Sequence, residues 1–338
     1  MKIDELRGLL KGSSPDMLMK IISELYKHVP KALKVSNDEG IDLKIRAIRE
    51  GRTLGKIKPA EKKVDFQALK EEIDTFAEYA HQGYYNYPNR IVSKSERSKW
   101  RFVVMRQIKA LKTIAPGSSD YPQAVDCLVT LFKVLTHGCR EYIFSTQDPF
   151  ASIGIDQGDF FKMICDFVFV ESFSYDHATL ETLIDCATID GFDMVTVHET
   201  TVAELVSRIP ENDPHIPWMI DLALSKIASK ARKLGRYDHD SSMEDLAYLV
   251  MGLYFREGMI DKGFEVYWNT CVNNRLHSGG DNEVLFYCMV MYSPRFGIPD
   301  EDWLRNFDEY ARKLNEKPRD ALVKMYNEVK LRAVQKQK

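Results

Sequence analysis

Apolar residues recur at helical spacing along almost the whole chain, and the strict alternation of a half-buried strand is found almost nowhere. Short breaks rich in Gly, Pro, Asp and Asn separate the periodic stretches. A chain patterned this way is confined to an all-α fold, and short connections make neighbouring helices antiparallel. Ser14, Pro15 and Asp16 open one helix as cap and first turn, and Met17, Leu18, Ile21, Ile22 and Leu25 mark its apolar face. The spacing predicts further helices over 65–81, from Ser93 through Ala110, and over 121–136, 157–172, 175–187 and 198–208. Others are predicted over 216–233, 242–257, 260–274, 281–291, 300–314 and 318–333. Ser93 with Glu96, and Ser241 with Glu244, have the spacing of a capping box. A single pair of such helices has too little core, so successive pairs must stack. The expected fold is all-α, an irregular right-handed array of antiparallel helical hairpins.

Composition divides this array. Gly51 to Lys63 reads as a connector, and Pro210 to Pro217 as a second boundary. The expected parts are an N-terminal helical region over 1–50, a central helical domain over 65–209 and a C-terminal helical-repeat domain over 214–338. Charge is divided as well: residues 1–113 hold 24 Lys/Arg against 15 Asp/Glu, whereas residues 141–221 hold 2 against 16. The total of −3 conceals this asymmetry, which points to partner binding or self-association. The most apolar run, Phe160 to Val170, is about half the ~20 residues of a membrane span and contains Lys162 and Asp166. It reads as a buried core helix, and no membrane role is expected. The six cysteines are widely spaced, without a CxxC or CxC pair. Free, reduced, packed thiols and a cytoplasmic location follow.

Ala247, Val250, Tyr254, Gly258, Ile260, Gly263 and Tyr267 follow the small/large spacing of a helix–turn–helix repeat. Gly258 permits the tight turn, Gly263 lets the second helix approach the first, and Tyr254 and Tyr267 fill the seam. The segment resembles a tetratricopeptide or pentatricopeptide unit, covering about 30 residues. Met251 stands where that unit carries its small residue, Gly252 follows, and the terminal proline is missing. The resemblance implies an α-solenoid of TPR- or HEAT-like kind. A second resemblance rests on Leu9 to Leu18 with Glu24, Leu25 and Tyr26, and on Tyr87 to Arg90 with Ser95 to Phe102. These look like an uncharacterised bacterial family, which implies a bacterial origin and no activity.

The candidate binding face is basic. Arg90, Lys94, Arg97, Lys99, Arg101, Arg106, Lys109 and Lys112 stand against one acid, Glu96, within 23 residues. At 100° per residue Lys94, Arg97, Arg101 and Lys112 share one arc. Such a face could track phosphates, with Tyr84, Tyr85 and Tyr87 of the preceding loop stacking on unpaired bases. It could equally dock on the chain's own acidic segment or lie solvated. Asp176, His177, Glu181 and Asp185, with Asp190, Asp193, His198 and Glu199 nearby, invite a metal reading, but no complete ligand motif is present. No metal or other cofactor is expected. GxSxG, GxxxxGK[ST] and GxGxxG are absent. A catalytic pair would have to come from His137 and Cys139, or from His177 and Glu181, in a pocket with distant polar groups. The sequence thus reads as a non-catalytic interaction or scaffold protein that binds a protein partner, or itself, through charged helical surfaces. The rival reading is a nucleic-acid-binding helical-repeat protein that uses the 90–112 helix.

Overall fold

The computed structural model describes residues 3–28, 49, 65–197, 199–233, 240–276, 281–314 and 317–336. Among these are sixteen α-helices, one short 3-10 helix and no strand. The chain forms two compact units, Met1–Lys63 and Val64–Lys338. In the first, α1 (Ile3–Leu10) precedes α2 (Pro15–Lys27). The Ser14 hydroxyl accepts from the Met17 N–H at 3.3 Å and Pro15 occupies the first turn, as the sequence predicts.

The second unit begins with α3 (Phe66–His81), α4 (Lys94–Arg97), α5 (Trp100–Leu111) and α6 (Tyr121–Arg140). It continues through α7 (Pro149–Ile153), α8 (Gln157–Val168), α9 (His177–Ala187), α10 (Glu199–Arg208) and α11 (Ile216–Ala231). The last are α12 (Ser241–Arg256), α13 (Ile260–Asn274), α14 (Asn282–Tyr292), α15 (Asp300–Ala311) and α16 (Asp320–Lys336), with the 3-10 turn Ser293–Phe296 after α14.

Two helices organise the core. Helix α6 carries Leu128, Leu131, Phe132 and Leu135 fully buried, and packs on α3, α5 and α8. The rings of Phe160 and Phe161 lie 5.8 Å from that of Phe132, which draws the apolar run of α8 inward. Each such side chain contributes about 2 kcal/mol of hydrophobic stabilisation when removed from water. From Leu246 to Phe255 helix α12 is apolar on every side, and a helix of that kind must be enclosed. Twelve of its sixteen residues are buried, with α10, α11 and α13 packed around it.

The turn from α12 to α13 is built on Gly258, at φ +72°. A Cβ on Gly263 would stand 2.6 Å from Phe255 Cε1 and 3.0 Å from the Met251 carbonyl oxygen, so glycine sets how closely the two helices approach. Gly252 has the same role toward the 3-10 turn, where a Cβ would meet Phe296 Cε1 at 2.6 Å. Tyr267 is buried in the seam, whereas Tyr254 is half-buried with the Lys262 ammonium 4.8 Å above its ring.

Two local expectations are corrected and one element is added. The helix opened by Ser93 is interrupted: α4 ends at Arg97, and i→i+3 bonds (Lys99 N–H to Glu96 O, 2.8 Å; Phe102 N–H to Lys99 O, 2.9 Å) tighten the chain before α5 begins. The single arc drawn through Lys94, Arg97, Arg101 and Lys112 therefore does not carry across that turn. At α12 the cap is Asp240 rather than Ser241, its carboxylate accepting from the Ser242 N–H at 3.0 Å. Pro149–Ile153, capped by Asp148, is an additional short helix where no periodic pattern is long enough to announce one.

Around 210–217, Arg256 of α12 donates to the carbonyls of Val206 (2.9 Å) and Ser207 (2.8 Å), while the Asn212 N–H donates to the Arg256 carbonyl at 3.2 Å. The helices before and after that stretch share one hydrophobic core. No helix among the described residues is long and apolar enough to cross a membrane.

Candidate functional site: the basic face of residues 90–112

The local sequence folds this region by closing its polar groups on themselves. The Asn89 carboxamide oxygen accepts from the N–H groups of Ile91 (2.9 Å) and Val92 (2.7 Å), and its amide donates to the carbonyls of Tyr84 and Tyr87. The Glu96 carboxylate reaches back to accept from the Ser93 N–H (3.4 Å), the contact of a capping box, and accepts from the Ser93 hydroxyl as well (2.8 Å). Helix α5 then buries Trp100, Val104, Gln107, Ile108 and Leu111 against the core, and the positions between them must face outward.

Arg90, Lys94, Arg101, Lys109 and Lys112 are all exposed, as are Lys99 and Arg106. Arg97 is half-buried, its Nε without an acceptor. Among the described residues Arg106 is the one base of the eight in an ion pair, with Glu72 of α3, which also accepts from Gln107 at 3.1 Å. The surface is not purely charged. Phe102 and Met105 are exposed on α5 and Ile91 on the preceding loop. The Arg101 guanidinium sits 4.8 Å above the Phe102 ring, keeping that ring covered on one side by a cation.

The three loop tyrosines separate. Tyr87 is 61% exposed. Tyr84 is half-buried against Tyr79, with ring centroids 5.5 Å apart. Tyr85 packs inward between Phe76 (5.1 Å) and Phe144 (6.1 Å), and burial pushes its phenol up to about 12. Of the three, Tyr87 is the one that is mostly exposed.

Seven of the sixteen acids of 141–221 stand in ion pairs within the chain among the described residues. Arg208 bridges Asp166 (2.7 Å) and Glu204 (2.9 Å), and Lys226 bridges Glu181 and Asp185, both at 2.9 Å. Arg140 stands 3.5 Å from Asp190, and Arg295 4.0 Å from Glu199. Asp176 caps α9 through the Thr179 N–H, and Asp193 is enclosed by N–H donors. No base of the 90–112 face takes part in these pairs. Glu181 and Asp185 thus hold an ammonium, and no group of three or more His, Cys, Asp or Glu converges among the described residues. His198 lies outside them.

The thiols and histidines have been drawn into packing. All six cysteines are free. Burial pushes the Cys139 thiol up to about 12, with the carboxylates of Asp148 and Asp193 acting in the same direction. A thiol so placed is a poor nucleophile at neutral pH. The His137 ring lies 5.1 Å from His81, and His177 stacks at 4.0 Å on Trp218 with the rings 2° from parallel.

Compared with protein-family models, curated proteins and solved structures, the chain matches none of them.

Proposed function

We propose that this chain is a non-catalytic, helical-hairpin interaction protein whose docking surface is the basic–apolar face of residues 90–112. Its occupant is an acidic protein segment that also carries apolar side chains. The observation that carries the reading is the combination of exposed bases, all but Arg106 without an acid partner among the described residues, and the exposed Ile91, Phe102 and Met105 between them. Such a surface combines electrostatic steering with apolar anchoring. The acidic 141–221 segment, part of whose charge is held by Arg140, Arg208, Lys226 and Arg295, is the weaker candidate for a partner surface. A cytoplasmic, bacterial setting belongs to the same reading, supported by free thiols and by the resemblance of the first third.

The second reading is single-stranded nucleic acid along the same face, favoured by Tyr87 beside Arg90 and Lys94. The inward packing of Tyr85 removes one of the stacking platforms it needs. Fluorescence anisotropy across a salt series separates the two, with three probes: an acidic amphipathic peptide, the same peptide with its apolar residues changed to Ser, and a single-stranded RNA. The proposal expects the first peptide to bind best and Arg101→Glu/Lys109→Glu/Lys112→Glu to abolish it. Preference for RNA would move the assignment to the second reading, and no binding by any probe would overturn both.

A further inference from the structure

A second site lies away from that face, in an open cleft of about 740 Å³ between α6, α9, α11 and the start of α12. Helix α6 contributes Lys133 and Arg140, seven residues apart and therefore on one side of it. The last turns of α11 contribute Lys226, Ser229 and Lys230, and Lys233 follows just past the helix end, again at i, i+3, i+4 and i+7. Two rows of bases thus face one concavity.

The acids that line the cleft are Asp185, Asp190 and Asp240, and each is already engaged. Asp185 accepts from Lys226 at 2.9 Å, Asp190 lies 3.5 Å from Arg140, and Asp240 accepts from Lys230 at 2.8 Å. Asp240 also accepts from the hydroxyl and N–H of Ser242. Once these pairs are subtracted, Lys133 and Lys233 are left without an acid among the described residues. Lys133 is half-buried, close enough to the buried Cys186 to oppose the rise of its thiol pKa. An anion bound in the cleft would complete this half-buried ammonium with a charge-assisted hydrogen bond.

Among the described residues the apolar lining of the cleft is aliphatic, Ile189 and Leu246, with no aromatic ring. A hydroxyl-bearing ligand meets Thr188 and Ser229 there. The volume is that of a small-molecule pocket. We propose that this cleft binds a phosphate-bearing small molecule, a sugar phosphate or oligophosphate, with Lys133 and Lys233 as its principal charge partners.

The test is isothermal titration calorimetry of the full chain at low salt with inorganic tripolyphosphate, fructose 1,6-bisphosphate and, as the uncharged control, fructose. The proposal expects saturable binding of one or both phosphates, none of fructose, and a loss of roughly tenfold or more in Lys133→Met and in Lys233→Met. Asp190→Asn, which removes an acid from the rim, should tighten binding and provides the check if Lys133→Met does not fold. No saturable phosphate binding overturns the proposal. So does equal affinity in wild type, Lys233→Met and Asp190→Asn, or binding confined to a single-stranded oligonucleotide run in parallel.

Discussion

Gln157 and Asp193 hold each other through two reciprocal hydrogen bonds, although 36 residues separate them. The Gln157 N–H donates to the Asp193 carboxylate at 2.7 Å, and the Asp193 N–H donates to the Gln157 side-chain oxygen at 3.0 Å. The same carboxylate accepts from the N–H groups of Val195 and Thr196, and the Gln157 amide donates to Thr136 and to the Gly191 carbonyl. Both side chains are buried, so the pair fastens the start of α8 to the loop after α9 and to α6. Asp193→Ala leaves three N–H donors without acceptors inside the protein. It should cost about 3 kcal/mol, read as a lowered urea midpoint with an unchanged slope.

The glycines at helix crossings give a sharper contrast. Gly252→Ala and Gly263→Ala push a methyl into the rings of Phe296 and Phe255, and each should lose about 2 kcal/mol. Gly258→Ala meets open space and is strained only by its positive φ, so it should lose about 1 kcal/mol. Thermal unfolding of the three variants checks the order; equal losses would mean that α13 can move away from α12.

Asp300 ties the start of α15 to the end of α16. Its carboxylate accepts from Arg332 and Lys336, which hold its pKa down at about 2. A depressed carboxylate stabilises the fold fully above its unfolded value near 4 and ceases to as pH falls through 2. With Arg332 and Lys336 half-exposed or more, solvent screening leaves about 1 kcal/mol. Asp300→Asn should therefore be less stable than wild type at pH 7, and the difference should shrink between pH 4 and pH 2. A constant difference across that range would show that the carboxylate charge is not what acts.

His81 is held below its ordinary pKa of 6.5, first by burial and then by His137, 5.1 Å away. A lowered base is neutral when folded while the unfolded chain still takes up the proton, so this stabilisation is lost as pH falls through 6.5. His137→Asn removes the second cause and leaves the first. An NMR titration of His81 should find its midpoint raised by the substitution but still short of the ordinary value. An unmoved midpoint would leave burial as the whole cause.

Most helices were legible because their signals are local. The Ser14 cap and the apolar faces of α9, α13 and α15 are all written within a few residues of where they act. What depended on distant residues was not legible. Whether Tyr85 or Tyr87 turns inward is decided by Phe76 and Phe144, on elements before and after the loop. The acidic segment reads as a free charged surface until Lys226, Arg256 and Arg295, all C-terminal to it, are brought against it. The i, i+3, i+4, i+7 spacing of Lys226, Ser229, Lys230 and Lys233 was present in the sequence. Nothing local showed that Lys133 and Arg140 stand across from it.

Enclosure of α12 on all sides has a practical consequence for anyone cutting the chain. Cleavage in 210–217 would leave the C-terminal fragment with α12 stripped of α10, and Arg256 stripped of the Val206 and Ser207 carbonyls. The N-terminal fragment would be left with the bared side of α10, where Val202, Leu205 and Val206 are now buried. Each piece would carry a greasy scar that only the other can dress, so the pieces should be recovered from co-expression and precipitate when made apart.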